Sequence, residues 1–118
     1  MTDRPRSANI FIMVHKGIFK NADSTDALMI AEIGQALSHP SRIQIIRLLE
    51  GGERCSCEIA PYFDLDQSGI SRHLNALRRA GLIVSRRDGV RIYWRLSSPH
   101  VVKLLHLLEE ISHKEKTN

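Results

Sequence analysis

The sequence predicts a small, mainly α-helical domain that carries one β-hairpin. Apolar residues recur at helical spacing in most segments after residue 22, but after Gly81 the period changes to two. Between the two alternating segments lies Asp88-Gly89, a pair typical of tight hairpin turns. A chain of 118 residues has room for one domain of this kind with one core. We therefore expect a domain over residues 23–113, a partly ordered N-terminal arm at 1–22 and a polar tail at 114–118.

Two helices are predicted at the start of this domain. The first is capped by Asp23 or Ser24 and runs to about Leu37. The second opens at His39-Pro40, because proline is tolerated at the first helical position, and it closes at Gly51-Gly52. Their apolar residues are spaced for one helical face each: Leu28, Ala31, Ile33 and Leu37, then Ile43, Ile46 and Leu49.

Two further helices are predicted before Gly81. Ser56 caps a third helix that runs through Phe63, and Pro61 keeps it short or bent because proline removes a backbone donor. Asp66 caps the fourth helix, and Gly81 ends it. The fourth helix has an entirely polar face opposite one apolar stripe, which consists of Ile70, Leu74 and Leu77.

The segments after Gly81 predict a two-stranded wing and a last helix. Residues 83–86 and 90–96 alternate in polarity and flank a turn at residues 87–89. Ser98-Pro99 then starts a terminal helix with a broad apolar face. That face comprises Val101, Val102, Leu104, Leu105, Leu107, Leu108 and Ile111. The order α-α-α-α-β-β-α is that of a winged helix-turn-helix, and the broad face indicates dimerisation through terminal helices.

Composition and charge narrow the class of function. Lysine and arginine outnumber aspartate and glutamate by 17 to 13, which gives a net charge of +4 and favours polyanionic partners such as nucleic acid. The apolar run at residues 10–14 is far shorter than the ~20 residues that a membrane helix needs, and no signal-peptide cleavage pattern follows it. Two cysteines one residue apart are unlike a disulfide framework. We expect a cytoplasmic protein without a membrane partner.

The polar face of the fourth helix is suited to reading DNA. Glutamine and asparagine can bond adenine, arginine can read the guanine edge, and a serine near a helix N-terminus can bind phosphate. The residues predicted to contact DNA from this helix are Gln67, Ser68, Ser71, Arg72, His73 and Asn75. On the wing, Arg86, Arg87 and Arg91 would contact the backbone or the minor groove, although charged strands also discourage aggregation between sheets.

Three segments resemble the ArsR/SmtB family of metal-responsive repressors. They are residues 37–42 (Leu-Ser-His-Pro-Ser-Arg), residues 55–59 (Cys-Ser-Cys-Glu-Ile) and residues 67–83, with Ser-Arg-His-Leu followed by Ala-Gly-Leu. The similarity covers about residues 28–111. It implies a homodimer that sits on an operator near its own promoter and leaves when an ion binds. The residues that match the family's usual DNA-contacting set are Gln67, Ser68, Ser71, Arg72 and His73.

Cys55 and Cys57 are the only cysteines and lie at the predicted start of the third helix. The partial positive charge of a helix N-terminus favours thiolates, the form that binds soft ions. One intervening residue lets two sulfurs reach one centre, which suits As(III), Sb(III) or linear Cu(I), whereas Zn(II) would require two more ligands. The alternative is a structural role, in which two small residues line a helix start.

The arsenic-responsive branch of the resembling family is the closest match. A Cys-x-Cys at this place is similar to that branch's inducer site, which often has a third cysteine three residues later; here that residue is Ala60. A third ligand would then come from water, a small thiol or another side chain. The cadmium and lead branch adds cysteines from the N-terminal arm, and this arm has none.

The last helix offers a second candidate metal set. His100 matches one ligand position of the zinc-responsive branch, but Ser98 replaces the expected acid and Ile111 replaces a second histidine. By spacing, one helical face could bind a metal independently; its residues are His106, Glu109 or Glu110, and His113. A solvated or ion-pairing face is the alternative for these residues.

Together these features predict a DNA-binding transcription repressor, not an enzyme, with As(III) or Sb(III) as inducer at Cys55 and Cys57. Its two recognition helices would read an imperfect palindrome with half-sites about one helical turn apart. Three alternatives stay open: a thiol redox-responsive repressor of the same fold, a thiol-disulfide oxidoreductase, and a protein-interaction winged helix that binds no DNA. The sequence has no Cys-x-x-Cys, catalytic triad or paired carboxylates, which disfavours the oxidoreductase.

Overall fold

A computed structural model of the chain describes residues 24–117. The predicted arm, residues 1–22, lies outside the described residues. The chain divides into two compact units, residues 1–32 and 33–118. The division between these units falls inside the first helix, α1 (Ser24–Ala36). In the described part of the first unit, Leu28, Met29 and Ile30 of α1 are exposed.

The second unit contains the end of α1 and all later elements. These are α2 (Pro40–Leu49), β1 (Arg54–Cys55), α3 (Ser56–Ile59), a 3-10 turn (Ala60–Tyr62), α4 (Gln67–Arg79), β2 (Ile83–Asp88), β3 (Arg91–Leu96) and α5 (Pro99–Thr117). This confirms the predicted succession of helices and hairpin, to which the structure adds β1. Because α5 continues through Thr117, most of the expected polar tail is helical.

The ends of α4 follow the predicted signals. Asp66 caps the helix, with its Oδ1 accepting the Gly69 N–H at 2.7 Å. At the other end Gly81 has a φ of +80°, a conformation that glycine adopts without strain. The prediction for α4 is therefore confirmed at both ends.

The prediction for α3 was wrong in two respects. Its N-cap is Cys55, whose Sγ accepts the Cys57 N–H, and not Ser56. The α-helix ends at Ile59 and is followed by a 3-10 turn, so it does not reach Phe63. Pro61 accounts for the early end, because it has no N–H with which to continue the helical hydrogen bonds.

The wing belongs to a three-stranded antiparallel sheet of order β1-β3-β2. Strands β2 and β3 pair from Ile83 opposite Leu96 to Asp88 opposite Arg91, which leaves Gly89-Val90 as the loop. The predicted turn at residues 87–89 therefore begins two residues too early and ends one residue too early. Gly89 takes the first loop position with a φ of +67°, as hairpins with glycine first require. A two-residue strand such as β1 has no detectable period, so the sequence could not predict it.

A single hydrophobic core fixes α4 with its polar face outward. Ile70, Leu74 and Leu77 are each at most 1% exposed, and burial of such a side chain stabilises a fold by ~1.5–3 kcal/mol. The rest of the buried cluster comes from the other elements of the second unit: Ala36, Ile45, Ile46, Leu49, Ile59, Leu82, Ile83, Trp94, Val101 and Leu105. Among the described residues, no helix is both long and apolar enough to cross a membrane.

The apolar face of α5 is only partly used by this core. Val101 and Leu105 are buried, whereas Leu107, Leu108 and Ile111 are 57%, 39% and 60% exposed. The predicted broad face is thus divided between the chain's own core and an open apolar surface.

Candidate nucleic-acid interface

The outward face of α4 presents the polar side chains that the sequence assigns to DNA. Gln67, Ser68, Ser71 and Arg72 are exposed, and Asn75 is half-buried. Ser68 Oγ donates to Asp66 Oδ1 at 3.2 Å, and Asn75 Oδ1 accepts from Arg78 Nη2 at 3.0 Å. Of the predicted DNA contacts on α4, three side chains make no hydrogen bond within residues 24–117: Gln67, Ser71 and Arg72. These three are therefore available to a ligand without breaking an internal contact.

The cap of α4 holds the start of this face in place. The Gly69 N–H, and then the Ser68 hydroxyl, donate to the Asp66 carboxylate and hold the pKa of Asp66 below its ordinary value. The carboxylate therefore stays charged at neutral pH and satisfies a backbone donor that the first helical turn would leave unpaired.

His73 is placed differently from the rest of the predicted set. Its side chain is half-buried, and its Nδ1 accepts from Arg42 Nε at 3.0 Å. The His39 ring lies 5.7 Å from the His73 ring, between centroids. Burial, followed by the positive charges of Arg42, His39 and Arg72, lowers the pKa of His73. The imidazole is thus held neutral with Nδ1 as acceptor, so only its Nε2–H is left to donate to DNA.

The three predicted arginines of the wing fall into two groups. Arg87 and Arg91 are exposed and have no ion pair within the described part of the chain. Arg86 instead donates to both carboxylate oxygens of Glu53, at 2.8 and 2.9 Å, and its guanidinium lies 4.5 Å from the centre of the Tyr93 ring. The hydrogen bonds from Arg86 lower the pKa of Glu53. Arg87 and Arg91 are therefore the freer cations of the wing.

A groove of about 580 Å³ lies between α4 and the wing. Gln67, Ser71 and Asn75 line one wall, and Arg86, Arg87 and Arg91 line the other. Its lining contains a fourth arginine, Arg78, and no carboxylate. A groove with four cations and hydrogen-bonding side chains has the electrostatic character that a polyanion requires.

The two cysteines contribute to the surface of this groove. Cys55 is buried, Cys57 is exposed, and both belong to the groove lining. Their sulfur atoms are joined in a disulfide, so the expectation of a pair of free thiols is corrected. The Cys55 N–H donates to Glu58 Oε1 at 2.8 Å, which fixes the backbone of the pair. Two sulfurs that can bond each other can also reach a common ion.

The second candidate metal set is not brought together. His106 Nε2 lies 2.7 Å from Oε2 of Glu50, the C-cap residue of α2, and His100 contacts Ser98 of its own turn. Within residues 24–117, no group of three or more histidine, cysteine, aspartate or glutamate side chains has an arrangement that could hold a metal ion. The face of α5 that carries His106 thus pairs with α2, since Arg47 also donates to Glu109 at 3.1 Å.

Sequence reasoning missed a contact that ties the cysteine pair to the wing. The Ser56 hydroxyl lies between the two cysteines in sequence and accepts from Trp94 Nε1 at 2.8 Å. Trp94 is 5% exposed, and in the same region β1 pairs with β3, with Cys55 opposite Tyr93. The alternation of the second wing strand indicated a buried tryptophan, but nothing in the sequence pointed to a partner 38 residues away.

Comparison with known proteins identifies the arrangement. The model for bacterial regulatory proteins of the arsR family matches residues 39–85. The transcriptional regulator NmtR of Mycobacterium tuberculosis is 38% identical over 93 residues, covering 79% of this chain and 76% of that protein. The arsenical resistance operon repressor of Escherichia coli is 39% identical over 75 residues, covering 63% of each chain.

Solved structures agree with these relatives. A homodimeric winged helix-turn-helix DNA-binding domain from Mycobacterium bovis, described as a possible ArsR-family regulator, superposes with a TM-score of 0.71 at 33% identity. The match covers 80% of this chain and 89% of that domain. A helix-turn-helix with an open polar face, a cationic wing and relatives of this similarity is the DNA-binding unit of a transcription regulator and not of an enzyme. The chain belongs to the ArsR family of bacterial regulatory proteins.

Proposed function

We propose that the chain is a homodimeric transcription repressor that leaves its operator when As(III) or Sb(III) binds at Cys55 and Cys57. The proposal rests on one observation: the two sulfur atoms are bonded to each other, and their residues line the groove that Gln67 and Ser71 also line. The name of the Escherichia coli relative, an arsenical resistance operon repressor, supports this choice of ion. Such a regulator would act in the reducing cytoplasm, where thiols persist.

Binding of DNA follows from the shape and charge of the groove. The open face of α4 has the amide, hydroxyl and guanidinium groups that read base edges in a major groove. Arg87 and Arg91 stand beside it on the wing, where they would contact the backbone or the adjacent minor groove. Each phosphate that they neutralise releases a counterion, so the affinity should fall steeply with salt.

A second copy of the chain would cover the open apolar surface of α5. Leu107, Leu108 and Ile111 are too exposed for a helix that stays alone in water. The homodimeric state of the Mycobacterium bovis domain supports the same assembly here. Two-fold symmetry would present two α4 helices to an imperfect palindrome, with half-sites about 34–36 Å apart or at a multiple of that distance.

The inducer requires the reduced form of the cysteine pair. Two electrons and two protons from a cellular thiol reductant convert the disulfide into two thiols. Arsenous acid, As(OH)3, then reacts with the two thiols: two As–S bonds form, two As–O bonds break, and the two hydroxyl groups leave as water with the two thiol protons. The third position keeps a hydroxyl group or takes a small thiol, because Ala60 offers no ligand. Cu(I), Cd(II) and Zn(II) are the alternative ions.

The contacts around the pair supply a route from the ion to the wing. The Cys55 sulfur accepts the Cys57 N–H, and an ion that takes the lone pairs of that sulfur removes this cap from α3. Ser56 would move with the backbone and disturb its hydrogen bond with Trp94 of β3. A coupling of about 1–3 kcal/mol per site would lower operator affinity by about 5- to 150-fold.

A gel-shift titration tests the proposal. The DNA is the region upstream of the chain's own gene, and the reduced protein is titrated in parallel with arsenite, antimonite, Cu(I), Cd(II) and Zn(II). We expect arsenite and antimonite to release the DNA, and a variant with Cys55→Ser and Cys57→Ser to bind it normally but to resist release. Release of the double variant by arsenite would refute the assignment of the site.

Ala60→Cys is the matched gain-of-function control. It adds a third thiol about one turn after Cys57, at the first residue of the 3-10 turn. Since As(III) prefers three sulfur ligands, we expect release at a lower arsenite concentration than in the wild type, with unchanged affinity for DNA. A variant released at a higher concentration would count against a site centred on the two native cysteines.

The disulfide favours a second candidate, a repressor that responds to thiol oxidation. In that case peroxide takes two electrons and two protons from the two thiols, the S–S bond forms, and two water molecules leave. This candidate predicts release by peroxide in the absence of any thiophilic ion, reversed by dithiothreitol. The same titration separates the two candidates, because the ion-responsive repressor keeps its DNA under peroxide at concentrations where arsenite releases it.

A further inference from the structure

We infer that His39, Arg42 and His73 form a binding site for one backbone phosphate of the operator, beside α4 and outside the groove between α4 and the wing. His39 and Arg42 belong to none of the sites described above, and their role would be to anchor the recognition helix on the duplex. The inference rests on DNA binding by the chain and is independent of the ion or oxidant that acts at the cysteines.

A series of contacts joins the start of α2 to the middle of α4. Arg42 Nε donates to His73 Nδ1 at 3.0 Å, and Arg42 Nη1 donates to the carbonyl of Ala36 at 3.4 Å. The His39 ring stands 5.7 Å from the His73 ring. Arg42 is half-buried between the two helices, so its guanidinium is held by the protein before any ligand arrives. A preorganised guanidinium loses less side-chain entropy on binding an anion than a free arginine does.

The hydrogen-bond donors that stay unused among His39, Arg42 and His73 suit a ligand that only accepts hydrogen bonds. Arg42 Nη2 makes no hydrogen bond within the described residues, and neutral His73 carries its proton on Nε2, which is also unbonded there. His39 is exposed and is the N-cap of α2, but its side chain makes no capping hydrogen bond. Phosphate oxygens accept and never donate at neutral pH, so a phosphate could take donors from all three side chains.

The charge around His73 is not balanced by the protein. The charged groups that face it are Arg42 and His39 from the start of α2 and Arg72 from α4, and all three lower its pKa. No carboxylate offsets them at His73 within the described residues, although Arg72 also acts on Asp66. A phosphate would supply the missing negative charge and raise the pKa of His73. DNA binding should therefore take up protons as the pH falls from 8 to 6.

Arg42→Gln tests the site in the full-length reduced protein, with no thiophilic ion present. Affinity for the upstream duplex is measured by fluorescence anisotropy between 0.05 and 0.3 M salt. We expect binding about tenfold weaker, on operator and unrelated duplex alike, and a log–log salt slope reduced by about 0.9 for each protomer. Lys103→Gln is the matched control, since Lys103 is an exposed cation on α5, and it should leave the slope unchanged.

Ethylation interference locates the phosphate. In the wild type, one phosphate in each half-site should block binding when ethylated, and in Arg42→Gln its ethylation should no longer matter. His39→Ala is the second variant, because His39 is exposed and its loss leaves the contact from Arg42 to His73 intact. It should reduce the gain in affinity between pH 8 and pH 6, whereas His100→Ala, an exposed histidine on α5, should not.

The outcomes separate the inference from the proposed function. Wild-type protein that binds no duplex at all would refute the repressor itself. If both variants keep the wild-type salt slope, pH dependence and interference pattern, only the phosphate site is refuted. A loss of affinity confined to the operator, with unrelated duplex unaffected, would also overturn it, because a backbone phosphate carries no sequence information.

Discussion

Replacing Ser56 by alanine should destabilise the fold and weaken the link between the cysteine pair and the wing. The variant leaves the Trp94 Nε1–H without the acceptor that lies 2.8 Å away in the wild type. Trp94 is 5% exposed, and an unsatisfied buried donor costs about 1–3 kcal/mol. Trp94 also lines the groove, where water can reach part of the ring, so we expect the lower half of that range. For a domain of this size the Tm would fall by about 4–8 °C.

A double-mutant cycle isolates this hydrogen bond from the loss of the serine side chain itself. Ser56→Ala, Trp94→Phe and the double variant are unfolded in urea at one protein concentration and followed by circular dichroism, because a dimer's stability depends on concentration. We expect an interaction energy of about 1 kcal/mol between the two sites. Ser85→Ala is the matched control: Ser85 is exposed and lies opposite Trp94 in the ladder, without a side-chain hydrogen bond within the described residues.

A cycle with no interaction energy would contradict a stabilising hydrogen bond between Ser56 and Trp94. Ser56→Ala would then cost as much with phenylalanine at position 94 as with tryptophan, and its effect could not be assigned to the indole. The effect on function is followed by the fluorescence emission of Trp94, because Trp94 is the only tryptophan of the chain. In the wild type arsenite should change this emission together with DNA release, and in Ser56→Ala release should require more arsenite.

Three further predictions concern charged groups near α4 and the wing. Asp66→Ala removes the cap of α4 and should lower the Tm by roughly 4–8 °C at pH 7 in a calorimetric scan. Because the pKa of Asp66 is lowered on folding, the difference in Tm between wild type and variant should vanish as the pH falls well below 3.8. Glu53→Gln removes the negative charge that pairs with Arg86 and should tighten DNA binding, with a salt slope steeper by about 0.9 per protomer in anisotropy titrations. A weaker complex would contradict the view that Glu53 neutralises a cation of the wing. His73→Asn keeps an acceptor for Arg42 but cannot titrate. In the wild type the pKa of His73 is lower in the folded than in the unfolded state, so stability falls as the pH drops below 6.5 and the unfolded state takes up the proton first. Urea unfolding of the variant should therefore show a smaller loss of stability below pH 6.5.

The recognition helix was the most predictable part of the molecule because its signals are local. A capping aspartate, an apolar stripe of period 3.6 and a terminal glycine all lie within 16 residues of chain, from Asp66 to Gly81. Each of these features depends on neighbours in sequence, so the sequence predicts the bounds of the helix and the exposure of Gln67, Ser68, Ser71 and Arg72, whereas His73 and Asn75 are half-buried.

The contacts that tune this helix could not be predicted in the same way. Arg42 and His73 are separated by 31 residues, and Glu53 and Arg86 by 33. Whether two such side chains meet depends on how the helices and the sheet pack, which no periodicity encodes. As a consequence, two residues expected to contact DNA, His73 and Arg86, have part of their hydrogen-bonding capacity used by partners that are distant in sequence.

The placement of the cysteine pair removes the need for long-range signalling. A sensor distant from the DNA interface must bias a two-state element that connects the two sites. Here the sulfurs line the groove itself, and one hydrogen bond and one short strand separate them from the wing. In the proposed function, As(III) bound at this pair would act on DNA affinity in two ways, by displacing β3 through Ser56 and by occupying space beside Gln67 and Ser71. Ser56→Ala removes only the first of these, so the fraction of release that survives in that variant measures the second.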